Sequence, residues 1–290
     1  MLQNTKNEYK PRDGGGHRPI IGFMSDLGTE DDSVGICKGV MLGLCPDAVI
    51  VDISHSMTPW DIDQGSRLIV DLPKFFPNWT TFATTSYRET GTSARSVAIK
   101  LPSGHVYVAP NNGLLTRVIE DHGYVEAYEV TTVGAIPAEP EPTWFSRDMV
   151  AYPAAAIAAG FPLENVGRPL NDSEIVRADL PRYTQAEDGI IQGIVTTIDR
   201  PFGNIWTNIP RRIIENELRI AYGTNIRVVL DNLLVLEVPF MRTFGDVGLK
   251  KPMCYINSRG YFSLAYYGGN LADPYNIRRG MPVKIESITR

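Results

Sequence analysis

Cysteine is scarce in this chain. Three residues, Cys37, Cys45 and Cys254, are spread over 290 positions. An odd and sparse set excludes a disulfide framework and fits a reduced protein with small buried thiols, so a cytoplasmic location is expected. Histidine is nearly as rare, at four residues: His17, His55, His105 and His122. No two of them have metal-ligand spacing, and no metal site is expected. No apolar run approaches the ~18 residues that a membrane span takes. The opening MLQNTKNEYKPRDGGGHRP is polar and lacks the apolar core of a secretory signal. Positive charge is not in excess either. Lys and Arg number 28 against 33 Asp and Glu, a net charge of −5, which weighs against nucleic acid as the partner because phosphate backbones are bound by clustered cations. Internal repeats, low-complexity blocks and long charge runs are also missing.

What is present is enough apolar surface to bury a core, at 43% hydrophobic residues. At about 150 residues per domain the length predicts two domains. Residues 1–17, ending in Gly14-Gly15-Gly16, read as a flexible tail. From there strands and helices alternate. IIGFMSD and AVIVDIS read as buried strands, with a helix from about Asp32 to Leu44 between them. A helix follows over Asp61 to Val70, then the strand TTFATTS. SVAIKL and HVYVAP read as a hairpin across Pro102-Ser103-Gly104. LLTRVIEDHG reads as a helix closed by Gly123, and Phe145 to Gly160 as an Ala-rich helix. This alternation predicts an α/β domain with a central sheet flanked by helices. The texture then changes. GIIQGIVTTID, NIWTNI, IRVVLDN, LVLEVPF, MCYINS, YFSLAYY and MPVKIES are short strand-like runs at roughly 8–12-residue spacing, which predicts a smaller, mainly antiparallel, barrel-like β-domain. The boundary falls near 176–186, giving an α/β domain over 18–180 and a β-domain over 181–290.

Chemistry-bearing residues gather at the predicted strand ends, where open α/β sheets bind ligands. The first strand ends at Asp26, and the next turn adds Glu30, Asp31, Asp32 and Ser33. Four carboxylates would repel phosphate. They suit the start of a helix, a cationic ligand, a ribose diol accepted by one carboxylate, or magnesium. After the third strand, SYRETGTSARS sets the hydroxyls of Tyr87, Thr90 and Thr92 in one turn, which turn chemistry alone also explains. Ser146 in PTWFSRDM opens the Ala-rich helix. It reads as a helix cap or, beside free backbone N–H groups, as part of an anion site.

The segments IIGFMSDLGTEDDSVGICKGVM, DISHSMTPWDIDQG, YVAPNNGLLT, PTWFSRDMVA, IDRPFGNIWTNI and YINSRGY occur in one order along the chain. Together they resemble the superfamily of SAM-dependent halogenases and hydroxide adenosyltransferases, from about Arg18 to Arg290. The hydroxide branch of that superfamily activates water with an Asp, an Arg and a His. Their positions here are Tyr87, Ala94 and Phe145, so no base or orienting cation remains for water. The Tyr87-Arg88-Glu89-Thr90 pattern and Ser146 resemble the fluoride-using branch, whereas chloride-using relatives carry Gly at the Ser146 position.

The resemblance implies that fluoride attacks C5′ of S-adenosylmethionine in line, releasing methionine and 5′-fluoro-5′-deoxyadenosine, with no cofactor and no metal. Ser146, Thr90, Tyr87 and Phe145 would form the catalytic set, with Ser146 and Thr90 as fluoride donors. Asp26 would hold the ribose hydroxyls, with Trp60 and Tyr87 walling the ring. Thr143 and Trp144 join the substrate-binding set. Asp31, Ser33, Asp199, Ser258 and Arg259 would hold the methionine end. Asn204 would pair with adenine, with Phe202, Trp206 and Phe244 packed on the base and Gly268 near it. Tyr266 and Gly268 stand where the fluoride-using relatives carry Arg and Ala, and Phe145 where they carry Tyr. Expected partners are S-adenosylmethionine and halide, in a homotrimer with sites at subunit interfaces. Trimers of relatives pair into hexamers through an inserted loop that the SVAIKL–HVYVAP turn lacks. A chloride-using enzyme and a non-catalytic binder of adenosyl ligands are the competing readings.

Overall fold

The computed structural model describes residues 17–93, 95–185 and 190–287. The expected tail at 1–17 lies outside them except for its last residue, and Ala94 lies outside them too. The chain divides into two compact units, Met1–Asp179 and Leu180–Arg290.

The first unit is an α/β layer structure, as the alternation predicts. Its elements are β1 (Ile20–Met24), α1 (Ser33–Leu44), β2 (Val49–Ser54), α2 (Ile62–Ile69), β3 (Thr81–Thr84), β4 (Ser96–Lys100), β5 (Val106–Pro110), α3 (Thr116–His122), β6 (Glu126–Glu129) and α4 (Tyr152–Ala158). The six-stranded sheet runs β2-β1-β3-β5-β4-β6, with β2, β1, β3 and β5 parallel and β4 antiparallel to both its neighbours. Strands β1, β3 and β5 are buried almost throughout because helices cover both faces, and two hydrophobic clusters fill the two sides. Local signals set the helix ends. Asp61 caps α2 by accepting from the Gln64 N–H at 2.8 Å. Gly123 closes α3 at φ +66°, a conformation open to glycine without steric cost.

Two expectations are corrected. AVIVDIS is a strand but not a buried one. β2 lies at the sheet edge and none of its residues is buried. The Ala-rich segment is not one α-helix. Ser146–Ala151 is wound as a π-helix, with the Tyr152 N–H reaching the Arg147 carbonyl, and regular α4 follows. Pro153, at the head of α4, has no N–H to give the Met149 carbonyl and its ring crowds that carbonyl, so it marks the join between the π-wound turns and the regular helix.

The second unit pairs all its named strands antiparallel, and its bridge between Phe240 and Cys254 is parallel. Its strands are β7 (Thr184–Gln185), β8 (Ile191–Asp199), β9 (Asn204–Pro210), β10 (Asn225–Leu230), β11 (Leu234–Pro239), β12 (Pro252–Ile256), β13 (Tyr261–Tyr266) and β14 (Pro282–Ser287). They order as β11-β10-β14-β8-β9-β13-β12, with short β7 on β8. A bridge between Phe240 and Cys254 brings the two ends together, so the sheet nearly closes into a barrel. Its interior is the cluster built on Val195, Ile205, Val228, Phe240 and Phe262. A second short π-helix, Ile213–Glu217, short β7 and the single helical turns at Phe244–Asp246 and Asp273–Tyr275 are elements that the spacing of the sequence does not suggest. No helix among the described residues is long and apolar enough to cross a membrane.

Candidate active site

In the first unit the site residues lie where β1 and β3 end. Asp26 follows β1. Its Oδ2 accepts the Trp60 N–H and the Ser86 hydroxyl, both at 2.9 Å. Oδ1 takes no bond from a described side chain or backbone group, so one oxygen is held and the other remains able to accept. Ser86 is fully buried, and its own carbonyl is held by the Asn112 amide at 2.8 Å. Trp60 sits at φ +63°, a strained region for a bulky residue, and 58% of it is exposed. The backbone turn that gives its N–H to Asp26 thus leaves the indole standing in solvent.

The neighbouring strand end supplies hydroxyls. Thr85, fully buried just after β3, lies 3.1 Å from the Oγ of buried Ser146. Phe145 and Tyr87 stack beside this pair in sequence, with ring centroids 4.0 Å apart and planes 24° from parallel. The Tyr87 hydroxyl donates to the Glu89 carbonyl at 2.9 Å, and burial pushes its phenol above the ordinary value. Phe145 holds the cap position of this helix with no side-chain cap bond, and Ser146 follows it in the first turn. The Ser146 hydroxyl faces Thr85.

Thr90, expected beside Ser146, is exposed in the turn after the strand. The hydroxyl the fold brings to Ser146 is that of Thr85, which the sequence reading did not single out. Its signal was the polar end of TTFATTS, where a buried strand ends in hydroxyls rather than apolar side chains. Thr143 is exposed and donates to Glu141 at 3.0 Å. Trp144 lies under the Arg147 guanidinium at 4.5 Å. Asp31 takes the Ser33 N–H at 2.9 Å, and that bond holds its carboxyl below the ordinary value. Asp31 and Ser33 therefore shape the entry of α1 whatever else they bind.

In the second unit a cavity of about 490 Å³ is lined by Asp199, Phe202, Asn204, Trp206, Phe244 and Ser258, with Gly268 among the other wall residues. The β8–β9 hairpin places the first four. Asp199 and Asn204 face each other across it, and the Asn204 amide donates to the Asp199 carboxylate at 3.0 Å. Gly203 makes the tight return possible at φ +72°. A Cβ there would overlap the Asn270 amide. Arg259 is not part of the cavity wall, but its guanidinium lies 5.8 Å above the Trp206 ring. Tyr255, Asn257, Tyr266, Tyr267 and Gly269 complete the cavity. Of these, the reading of the motifs marked only Tyr266. Asn257 is the structural key of its turn. Its Oδ1 accepts the N–H groups of Arg259 and Tyr261, and its amide donates to Ser263. Among the described residues no group of three or more His, Cys, Asp or Glu is placed to hold a metal ion.

Comparison with known proteins adds the following. The family models described as the SAM hydroxide adenosyltransferase N-terminal and C-terminal domains match residues 21–167 and 193–284. A fluorinase from Actinopolyspora mzabensis is 51% identical over 291 aligned residues, covering 92% of this chain and 97% of that one. An (R)-S-adenosyl-L-methionine hydrolase from Thermus thermophilus is 29% identical, with 92% and 99% covered. The solved structure of a conserved protein from Thermotoga maritima superposes with a TM-score of 0.85 at 28% identity, covering 91% of this chain and 99% of that one.

Proposed function

Since the chain belongs to the SAM hydroxide adenosyltransferase family, we propose that it is a SAM-dependent halogenase whose nucleophile is fluoride. Fluoride donates an electron pair to C5′ of S-adenosylmethionine. The C5′–S bond breaks, its pair moves to the sulfonium sulfur, and neutral methionine thioether and 5′-fluoro-5′-deoxyadenosine result. The observation that carries this reading is the buried Ser146–Thr85 hydroxyl pair with Phe145 stacked on Tyr87 next to it. Fluoride is small and strongly hydrated. A site that uses it must replace its water with a few short hydrogen bonds to the ion in a dry pocket. Two hydroxyls and stacked rings provide that, and provide nothing that would take a proton from water. The identity of 50–51% to three fluorinases against 27–29% to four hydrolases supports the same choice.

Asp26 has one carboxylate oxygen free to accept from a ribose diol. The ring-lined cavity of the second unit suits a purine, with Asn204 as the group able to donate and accept. Asp199 fits an ammonium and Arg259 a carboxylate, the two charges of an amino-acid end. The reading extends to a homotrimer as the assembled species, with a hexamer as the alternative, which light scattering in solution separates.

The test is product identity. Incubation with S-adenosylmethionine and fluoride, then with chloride, is expected to give the 5′-halonucleoside and methionine, with turnover greater for fluoride. Adenosine as the only nucleoside product would make the protein a hydrolase. Binding of S-adenosylmethionine without any product would leave it a ligand-binding member of the family.

A further inference from the structure

One polar network in the first unit, buried at Ser25 and His55 and open to solvent at Asp52, is not used by the chemistry above. Ser25 Oγ lies 2.6 Å from His55 Nδ1, and His55 Nε2 lies 3.1 Å from Asp52 Oδ1. Lys38 Nζ donates to Asp52 Oδ2 at 2.6 Å. Ser25 is fully buried and His55 is 5% exposed. A serine, histidine and carboxylate in a row suggest a hydrolytic triad, but no substrate reaches a serine with no exposed surface. The row does something else.

A break in the strand pairing creates it. β1 and β2 pair Phe23 with Asp52 and then Met24 with Ser54, so Ile53 is an extra residue. In a regular strand, side chains three apart point to opposite faces. The bulge cancels that alternation and lets His55 meet Asp52. An ionised Asp52 can only accept, so His55 Nε2 carries the proton and Nδ1 accepts from Ser25. The Ser25 oxygen in turn accepts the Leu27 N–H at 3.4 Å, while Ser25 N–H donates to the Ser54 carbonyl and Gly28 N–H to the His55 carbonyl. Asp26 is thus bracketed on both sides by bonds that end on Ser54 and His55.

We infer that His55 is a positioning residue for Asp26: as a neutral imidazole it fixes, through Ser25, the turn that presents the Asp26 carboxylate. This rests on the reading of Asp26 as the ribose-binding group. Protonation of His55 turns Nδ1 into a donor facing the Ser25 oxygen, so the hydroxyl proton must turn away and Ser25 loses the bond that it donates to the imidazole. The charged groups acting on the imidazole are Asp52 on β2 and Lys38 on α1, whereas Phe23 on β1 and Ser25 just after it carry no charge. Burial keeps His55 below its ordinary 6.5, outweighing the bond to Asp52. Burial also opposes ionisation of Asp52, but the bonds from Lys38 and His55 prevail and hold it low.

The experiment is calorimetric titration with S-adenosylmethionine between about pH 5 and 8, the window in which histidine titrates, with circular dichroism at each pH. Wild-type affinity is expected to fall toward acid as His55 takes a proton. Asp52→Asn removes the charge that favours imidazolium and moves the fall to lower pH. Lys38→Met removes a repelling charge from a partly exposed side chain and moves it to higher pH. Ser25→Ala cuts the link to the turn, weakens binding about tenfold at neutral pH and flattens the dependence. Opposite displacements by Asp52→Asn and Lys38→Met are not produced by a merely structural role. Acid limbs that superimpose in folded variants overturn the proposal while leaving the substrate assignment standing. A wild type that binds no S-adenosylmethionine overturns that assignment, and the proposal with it.

Discussion

The two units hold their candidate site residues by opposite means. In the first, polar groups are fixed one by one. Asp26 has one oxygen tied by Trp60 and Ser86, and Ser146 meets Thr85 in the core. In the second, rings and a hairpin enclose a cavity, and the Asn204 amide donates to Asp199 across that hairpin. A reacting ion or a diol is recognised through a few short bonds, so each donor or acceptor has to be immobilised at one point. A flat heterocycle is recognised through area, which several rings can share. Loss of one group should therefore be severe in the first unit and graded in the second.

The largest effect is expected at Asp26. Asp26→Ala removes both bonds that a carboxylate could accept from a ribose diol. Each charge-assisted bond is worth about 1.5–3 kcal/mol, so kcat/KM for S-adenosylmethionine should fall at least roughly a hundredfold. In the second unit, Trp206→Phe keeps a ring at the same place and should cost only about threefold, because a smaller ring loses part of one stacking surface. Steady-state kinetics on the two variants check the contrast. Equal losses would show that the units do not differ in this way.

Next comes the choice of halide. Ser146→Gly deletes a donor and adds room, so fluoride turnover should drop about ten- to a hundredfold while chloride turnover drops less. Thr85→Val keeps the shape of the side chain and removes its hydroxyl. It should follow the same order with a smaller loss, since each variant keeps one of the two donors but only the glycine also adds room. Competition assays with both halides measure the ratio. A ratio that stays at the wild-type value in both variants would remove this hydroxyl pair from halide selection.

The contrast between units also explains what could be read in the chain beforehand. All seven C-terminal strand runs fold as strands, because period-two patterning between turn residues survives any tertiary context. Most cavity residues were legible as polar or aromatic positions within those runs. The first unit was legible in outline and less so in detail. TTFATTS carries several hydroxyls in a row, and only the fold decides which one turns inward to Ser146. β2 looks as apolar as its neighbours, and its edge position follows from sheet order, which periodicity does not encode. The π winding at Ser146 leaves no periodic mark in the chain, although Pro153 marks where the regular helix takes over. The Ser25–His55 contact depends on a one-residue bulge at Ile53, and a slip of that size leaves no mark in composition.

A more moderate effect, on stability, is expected in the second unit. Gly203→Ala places a methyl group at φ +72° against the Asn270 amide. It should destabilise the β8–β9 hairpin by about 1–3 kcal/mol through strain and overlap together. Urea unfolding measures this, and the first unit should keep its own transition where the two are resolved. Gly91→Ala is a control in the first unit. It has the same kind of φ but no neighbour within reach of a Cβ, so it should cost less. If both substitutions cost the same, strain alone accounts for the effect and the Asn270 contact contributes nothing.

The smallest effect is an expected constancy. Tyr255 lines the second unit's cavity beside Phe244, with ring centroids 5.0 Å apart, and burial pushes its phenol up to about 12. A group with its folded value raised above the unfolded one favours the folded state at and below the unfolded value, near 10. That contribution is lost as pH rises through about 12. The cavity wall therefore keeps a neutral phenol throughout the range in which the first unit's His55 and Asp52 change charge. Tyr255→Phe should leave the pH dependence of S-adenosylmethionine binding unchanged below about pH 10, with affinity shifted by less than about threefold. Ultraviolet difference spectra of wild type against Tyr255→Phe should show no tyrosinate from this position over that range. A tyrosinate signal at mildly alkaline pH, or an alkaline binding limb that the Phe variant abolishes, would make the cavity as dependent on one polar group as the first unit is, and the contrast between the two units would fail there.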